Sequence, residues 1–536
     1  MNKIKQFSIY DWLAVMGSIF YFAALLINID HFKAPHGDIY QYIREGHGYL
    51  SGRIPHVIHP QPLMSIALVL LQPLFAYLEF PYFATAKFMS ITAASGINLI
   101  TYLLLKKKTT AKFAFFTALL LSIHPISITG AFDTTNITLY SFFALTALFF
   151  IDQNNKKRKW FFVNFLIAFF IRTEAITLII SYSLVMWKKL KELRKDTILI
   201  VVSLLFIGSW VIFQTTHNIN HNTAYGNYYL YEISERKFDV NNLIYSLGLT
   251  GAMFFPQHLS WTTSNFNNLD FITVILAISS IFLIAALIIS KSTRAYGLYL
   301  LGISLIHSIF PAIEPRYFGL FLHVTTIGAS ILLFKFYRKH KSTNWCKSLL
   351  FAIIAIIFFY YLNFVLKHYS NNFSEYRNTA PDLNHQIYNW IFNNLNKENY
   401  QIIADENQLY YQPFFYSQQY LSNKIDLPIN ELTPGKLTIH LDQNKLTFIK
   451  LNEIKMNCLD SQCLLETLDE NNKILLISGP EVLDALESNF WVQKKGTLLL
   501  KNLLLKKECL KELVVFNNSQ LYRRIDELDL ACYMDR

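Results

Sequence analysis

The chain has 536 residues, 53% of them apolar and only 16% charged, with 45 Phe and a formal net charge of +11. A soluble globular chain carries about 25% charged residues, so this composition excludes an ordinary soluble enzyme. The positive charges sit in short clusters between apolar runs, a pattern of membrane orientation that excludes a nucleic-acid-binding surface.

The charge is divided unevenly. Residues 367–536 hold 18 Lys and Arg against 22 Asp and Glu, a net of −4, which leaves 30 against 15 in residues 1–366. A basic multi-spanning region over 1–366 and a mildly acidic soluble region over 367–536 are therefore expected. The first apolar run is long and lacks a closely following small-residue cleavage site, so no cleavable signal peptide is expected.

In chain order, runs near the ~20 apolar residues needed to cross a bilayer occur at 10–29, 83–105, 113–126, 137–151, 197–213, 271–290, 295–311, 317–337 and 346–366. The basic clusters are Lys3 and Lys5, Lys106 to Lys108, Lys156 to Lys159, Lys188 to Lys195, Lys291 with Arg294, and Arg338 to Lys341. Placing all of them in the cytoplasm predicts an inside N-terminus, an outside C-terminus and about eleven crossings. Residues 61–79 contain Pro62 and Pro73 and read as a juxtamembrane or partly inserted helix. Residues 160–187 have basic clusters at both ends, so they must enter and return. Their turn falls at Arg172-Thr173-Glu174, where non-helical backbone needs a covering of protein or a water-filled cavity, so a cavity is expected there. The alternative is one long tilted helix in which Arg172 and Glu174 pair with each other. The outer loops then span 30–60, 129–136, 214–270 and 312–316.

The residues suited to chemistry gather at this outer side. Asp38 opens an amphipathic helix whose apolar face holds Ile39, Tyr42, Ile43, Tyr49 and Leu50, with Gln41, Arg44, Glu45 and His47 off that face. Asp38 is either a helix cap or a general base at the mouth of a membrane cavity. Asp133 precedes the next span, with Thr134, Thr135 and Asn136 as alternative caps. The two carboxylates can meet over a substrate or share a divalent cation with other oxygens; the sequence does not identify a cofactor. His59 lies in a rigid His59-Pro60-Gln61-Pro62 element. Arg172 and Glu174 are intramembrane charges, which usually line a functional path. Glu314 and Arg316 sit at the outer end of a late span, where an arginine can snorkel or grip a phosphate. His124 and His323 read as interior histidines. No metal-ligand spacing, phosphate loop or nucleophile elbow is present.

The order of these pieces resembles the GT-C membrane glycosyltransferases, the superfamily of protein O-mannosyltransferases and lipid A aminoarabinose transferases. The segment GDIYQYIREGHGYLSGRIPHVIHPQPL resembles their first outer loop, and HPISITGAFDTTNITLYSFFALTALFF their next one. IRTEAITLII is similar to an Arg-Pro-Glu hairpin with Thr173 in place of proline, and EPRYFGLF to the Arg-Tyr start of a late span. YNWIFNNLNKENYQIIADENQLYY resembles the opening of the outer C-terminal domain. The resemblance implies sugar transfer from a polyprenyl-phosphate carrier to a lipid, glycan or protein acceptor on the outer face. It implies Asp38 as catalytic acid/base and Asp133 as second acid. Carrier and substrate contacts would come from Arg172 or Arg316, with His59, Glu174 and Glu314 nearby. A polysaccharide polymerase or ligase and a multi-spanning transporter are the rival readings; the absence of an internal repeat and the one-sided polar residues count against transport.

The tail alternates helical and strand-like runs: a helix at 382–395, strands at 401–404 and 473–478, a helix at 481–487 and a strand-like 491–500. This predicts a small α/β domain. It contains Cys458, Cys463, Cys509 and Cys532, an even count compatible with disulfides in an oxidising compartment and with three pairings. The expected whole is an α-helical polytopic membrane protein, GT-C-like, with a non-cytoplasmic C-terminal α/β domain. It would sit in the cell membrane, with that domain periplasmic in a Gram-negative cell.

Overall fold

A computed structural model describes residues 8–27, 38–50, 52, 62–75, 81–132, 136–151, 155–187, 190–220, 238, 240–252, 271–308, 318–339, 359, 363, 387, 390, 391, 393–395, 398–404, 432, 433, 436–440, 445–450, 472–478, 507–517, 522–529 and 532. The chain divides into two compact units, residues 1–221 with 225–377, and residues 378–536 with 222–224.

The first unit is helical. Its described helices are α1 (Ile9–Ile27), α2 (Asp38–Leu50), α3 (Pro62–Leu71), α4 (Pro81–Lys106), α5 (Ala111–Ser122), α6 (Pro125–Phe132), α7 (Ile137–Ile151), α8 (Asn155–Ile171), α9 (Ile176–Met186), α10 (Leu190–Asn220), α11 (Val240–Ala252), α12 (Phe271–Ile289), α13 (Arg294–His307) and α14 (Phe318–Lys339). Among the described residues, Ile9–Ile27, Ala84–Lys106 and Asp196–His217 are long and apolar enough to cross a membrane. Large apolar side chains such as Phe20, Leu205 and Phe282 point outward from α1, α10 and α12. Such a surface is stable when hydrocarbon, not water, surrounds it. Hydroxyls inside the bundle close on their own helix: Ser95, Thr117, Thr146, Ser181 and Ser280 each donate to the carbonyl four residues earlier, the economical arrangement where water is absent.

Prolines and glycines decide where the helices depart from the expected runs. The run at 113–126 breaks at His124-Pro125 into α5 and α6, because proline cannot donate within a helix. Helix α3 has ten residues and passes into a 3-10 turn at Gln72–Phe75 around Pro73. Ten residues rise only about 15 Å, half a hydrocarbon core. Helices α2 and α3 touch where a Cβ at Gly46 would strike the Ser65 carbonyl. That approach lets the Ser65 hydroxyl donate to Glu45 Oε2 at 3.3 Å. Glu45 is thus fully buried while Leu50 is exposed, so α2 is set into its neighbours instead of lying flat with its polar face to water.

The stretch 214–270, expected as one outer loop, contains α11. A Cβ at Gly248 would lie 2.8 Å from Thr273 Cγ2, and one at Gly251 2.7 Å from the Leu276 carbonyl oxygen. Both contacts advance in the same direction, so α11 runs parallel to α12. Leu247 belongs to the main hydrophobic core with Leu243 and Ile244 packed against it. At the opposite, basic end of the bundle, Asp11 of α1 accepts from Tyr102 at 2.7 Å and pairs with Lys106, both on α4.

The second unit carries a seven-stranded sheet, β1 (Tyr400–Ala404), β2 (Leu432–Thr433), β3 (Lys436–His440), β4 (Lys445–Lys450), β5 (Lys473–Ser478), β6 (Leu510–Asn517) and β7 (Tyr522–Leu528), in the order β2-β3-β4-β1-β5-β7-β6. The centre β4-β1-β5 is parallel and the flanks antiparallel. Consecutive residues Ile474, Leu475, Leu476 and Ile477 are all buried, so β5, beside the central strand β1, is covered on both faces. Ile387, Ile391 and Leu395, spaced by one helical turn, are buried as well. Cys509 and Cys532 form a disulfide, resolving one of the open pairings; Cys458 and Cys463 lie outside the described residues.

Candidate functional site

The expected turn at Arg172 is present. Helix α8 ends at Ile171, Arg172 is extended (φ −155°, ψ 132°), and a 3-10 turn at Thr173–Ala175 leads into α9. The two helices fold back on each other. Tyr182, late in α9, stacks on Phe161, early in α8, with ring centroids 4.5 Å apart. The single tilted helix is therefore excluded, although its other feature holds: Arg172 and Glu174 do pair.

Around this turn a buried polar group is assembled from five helices. Arg172 Nε donates to Glu174 Oε1 at 3.0 Å, and Nη2 pairs with the same oxygen. Arg172 Nη1 donates to Asn136 Oδ1 at 2.9 Å. Asn136 stands immediately before α7, and its Nδ2 donates to the Ile171 carbonyl at 3.0 Å and to the Tyr42 hydroxyl, on α2, at 3.2 Å. Thr177 Oγ1 donates to the Glu174 carbonyl at 2.8 Å. Tyr140 and Tyr299 share a hydrogen bond at 3.0 Å, and both feel the charges of Glu174 and Arg172, as does His307 at the end of α13. The cover that non-helical backbone needs at this depth is supplied here by protein groups.

These groups occupy the end of the bundle opposite the basic clusters. Helices α13 and α14 meet there through His307 and Phe321, 5.6 Å between rings, while Arg294, Arg338 and Lys339 mark their other ends.

Of the residues singled out from sequence, Arg172 and Glu174 are brought together. Asp38 is the first residue of α2; its side chain, and His59, Asp133, Glu314 and Arg316 entirely, lie outside the described residues. His124 Nδ1 accepts from the Ile126 amide at 3.2 Å, and the buried His323 lies within electrostatic reach of it. Asn136, Tyr42, Tyr140, Tyr299 and His307 were not singled out. Asn136 carried a weak signal as a polar residue three positions after Asp133; the tyrosines, counted as apolar, carried none. Among the described residues, no group of three His, Cys, Asp or Glu side chains is arranged to hold a metal ion.

No protein-family model and no curated protein sequence matches the chain. Solved structures do. ArnT from Cupriavidus metallidurans bound to undecaprenyl phosphate aligns over 97% of this chain and 98% of its own, with 13% identity and a TM-score of 0.57. Its apo state aligns over 96% and 98%, with 13% identity and a TM-score of 0.54. The Archaeoglobus fulgidus oligosaccharyltransferase, tethered to an acceptor peptide containing the NVT sequon, aligns over 95% of this chain and 74% of its own, with 12% identity and a TM-score of 0.52. The chain shares the fold of these structures, a helical unit with a C-terminal sheet.

Proposed function

We propose that this protein is a glycosyltransferase that moves a sugar from a polyprenyl-phosphate carrier to an acceptor at the non-cytoplasmic face of the membrane. The shared fold supports the general chemistry, since one structure with that fold holds undecaprenyl phosphate and another an acceptor peptide. The observation that carries the reading is the hydrogen bond between Tyr42 and Asn136. Tyr42 is one helical turn beyond Asp38, about 5–6 Å along α2. Asn136 is three residues beyond Asp133, at most about 11 Å of extended chain. The helix that begins at Asp38 is thus hydrogen-bonded to the residue immediately before α7, three positions after Asp133, and this supports reading the two acids as parts of one site.

In the proposed reaction the acceptor hydroxyl gives its proton to the Asp38 carboxylate as its oxygen attacks the anomeric carbon. The bond from that carbon to the carrier phosphate breaks, and the polyprenyl phosphate leaves with the electron pair. Arg316 supplies positive charge to the departing phosphate, Asp133 serves as the second acid, and His59 and Glu314 contribute substrate contacts. The N-terminus is cytoplasmic, the chain crosses about eleven times with the α8–α9 hairpin entering and returning, and residues 367–536, which include the sheet, are outside. The Cys509–Cys532 disulfide supports an oxidising compartment for it.

The test is turnover of a panel of undecaprenyl-phosphate sugars by purified protein in liposomes. Asp38→Asn should fold and insert but lose about 100- to 10,000-fold in rate. Asn is itself a good helix cap, so near-normal turnover would reduce Asp38 to a cap and remove it as the base.

A further inference from the structure

We infer that Tyr42, Asn136 and the Arg172–Glu174 pair form a tether that positions helix α2, and that Arg172 commits its charge to Glu174 and not to a carrier phosphate. The inference deepens the transferase reading and rests on it for what α2 carries.

Three guanidinium nitrogens of Arg172 are engaged within the protein, two by one Glu174 oxygen and one by Asn136, and the residue is 8% exposed. The pair is neutral as a unit, so it offers little net attraction to a phosphate. Its geometry serves another end. Arg172 requires an oxygen on the near side of the Asn136 amide, which turns the Asn136 Nδ2 hydrogens toward the Ile171 carbonyl and the Tyr42 hydroxyl. The amide cannot flip without facing its NH2 toward a cation, so the charge pair dictates which way Asn136 holds Tyr42. Tyr42 is buried at 3% exposure, and one turn before it α2 begins at Asp38. Apolar side chains could hold α2 against α7 at a smaller desolvation cost. A directional hydrogen-bond chain adds a fixed rotation and height for the helix, which a carboxylate serving as a base needs and a merely packed helix does not. Tyr42, Asn136 and Arg172 are positioning residues on this account.

Two variants of the full-length protein test it. Tyr42→Phe keeps the ring and removes the hydroxyl; Arg172→Gln/Glu174→Gln removes both charges without leaving either one buried alone. For Tyr42→Phe, hydrogen exchange of the α2 amides should rise about 10-fold, the loss of one buried hydrogen bond. Exchange in α4 should stay unchanged. Turnover of the accepted donor should fall about 10-fold with its KM within two-fold. The double variant should bind undecaprenyl phosphate within two-fold of wild type. Unchanged α2 exchange in Tyr42→Phe would overturn the tether. A loss of undecaprenyl phosphate affinity beyond 10-fold in the double variant would return Arg172 to the phosphate. Exchange in α2 decides the tether and turnover of donor by the unsubstituted protein decides the transferase reading, so the two failures are distinguishable.

Discussion

The α8–α9 hairpin has a buried ion pair at each end, and the two ends use the same chemistry for different purposes. At the base, Arg158 Nη1 meets Asp196 Oδ2 at 2.8 Å, and the Tyr182 hydroxyl bonds the same oxygen. At the tip, Arg172 meets Glu174 and passes on through Asn136 to Tyr42. The two arginines are about 21 Å apart along α8. Base partners come from α8, α9 and α10, consecutive helices, so the base closes the hairpin on itself. Tip partners come from α2 and α7, so the tip binds the hairpin to elements distant in sequence. A charge pair inside a membrane protein is therefore read by where its remaining hydrogen bonds go. Local closure is compatible with a fastening role alone, whereas reach to a remote helix bearing an acid ties the pair to the site.

The largest expected effect comes from removing one charge at each end of the hairpin. Arg158→Ala and Arg172→Ala each leave a buried carboxylate without its cation, which costs about 3–5 kcal/mol. Stability in detergent, followed by proteolysis or thermal unfolding, should fall similarly for both. The difference should appear in turnover per folded molecule. Arg158→Ala should retain most of it and Arg172→Ala should lose more than about 10-fold, the scale of misplacing a catalytic group. Equal turnover losses would show that the base is as closely coupled to the site as the tip.

A milder probe acts at the base alone. Tyr182→Phe keeps the stack on Phe161 and removes a hydrogen bond to a carboxylate, which is worth about 1.5–3 kcal/mol. Unfolding should register that loss while donor KM and turnover stay within two-fold. A KM change would carry the influence of the base along the full length of α8.

How much of this was legible in sequence follows from the same physics. The hairpin was legible because charges mark both its ends, Lys156 to Lys159 and Lys188 to Lys195, and because Arg172 and Glu174 are the only charges within the run between them. The pairing of Tyr42 with Asn136 was not legible: 94 residues separate them, and an apolar period specifies which face is buried but not which helix end it meets. Helix α11 was hidden for a compositional reason. Asn241, Asn242, Ser246 and Thr250 dilute its apolar content to that of a loop, while its burial depends on Gly248 and Gly251 fitting against the backbone of α12. In the tail, strands β1 and β5 were anticipated because fully buried strands are continuous apolar runs. The partner of Cys509 was not, since an even count leaves the connectivity open.

The smallest expected effect comes from an ion pair in the other solvent. In the sheet unit, Lys473 Nζ lies 2.7 Å from Glu398 and 3.9 Å from Glu527, a distance as short as that at the hairpin base. Yet the Lys473 and Glu398 side chains are 47% and 50% exposed. Water already solvates both charges, so pairing adds little and salt screens what it adds. The hydrogen bond to Glu398 raises the Lys473 ammonium above its ordinary value. A raised lysine contributes stability that is complete below its unfolded value near 10.5 and is lost as pH rises through the higher folded value. Glu398→Gln should therefore cost less than about 1 kcal/mol, with the same small difference at pH 7 and pH 9. In 1 M NaCl, where the Debye length is about 3 Å, the difference should largely disappear. Hydrogen exchange of the β1 and β5 amides in the full-length protein measures it. A loss of several kcal/mol that persists in salt would mean that distance outweighs solvent in setting the worth of these pairs. Burial would then not be what separates the hairpin's charge pairs from an exposed one.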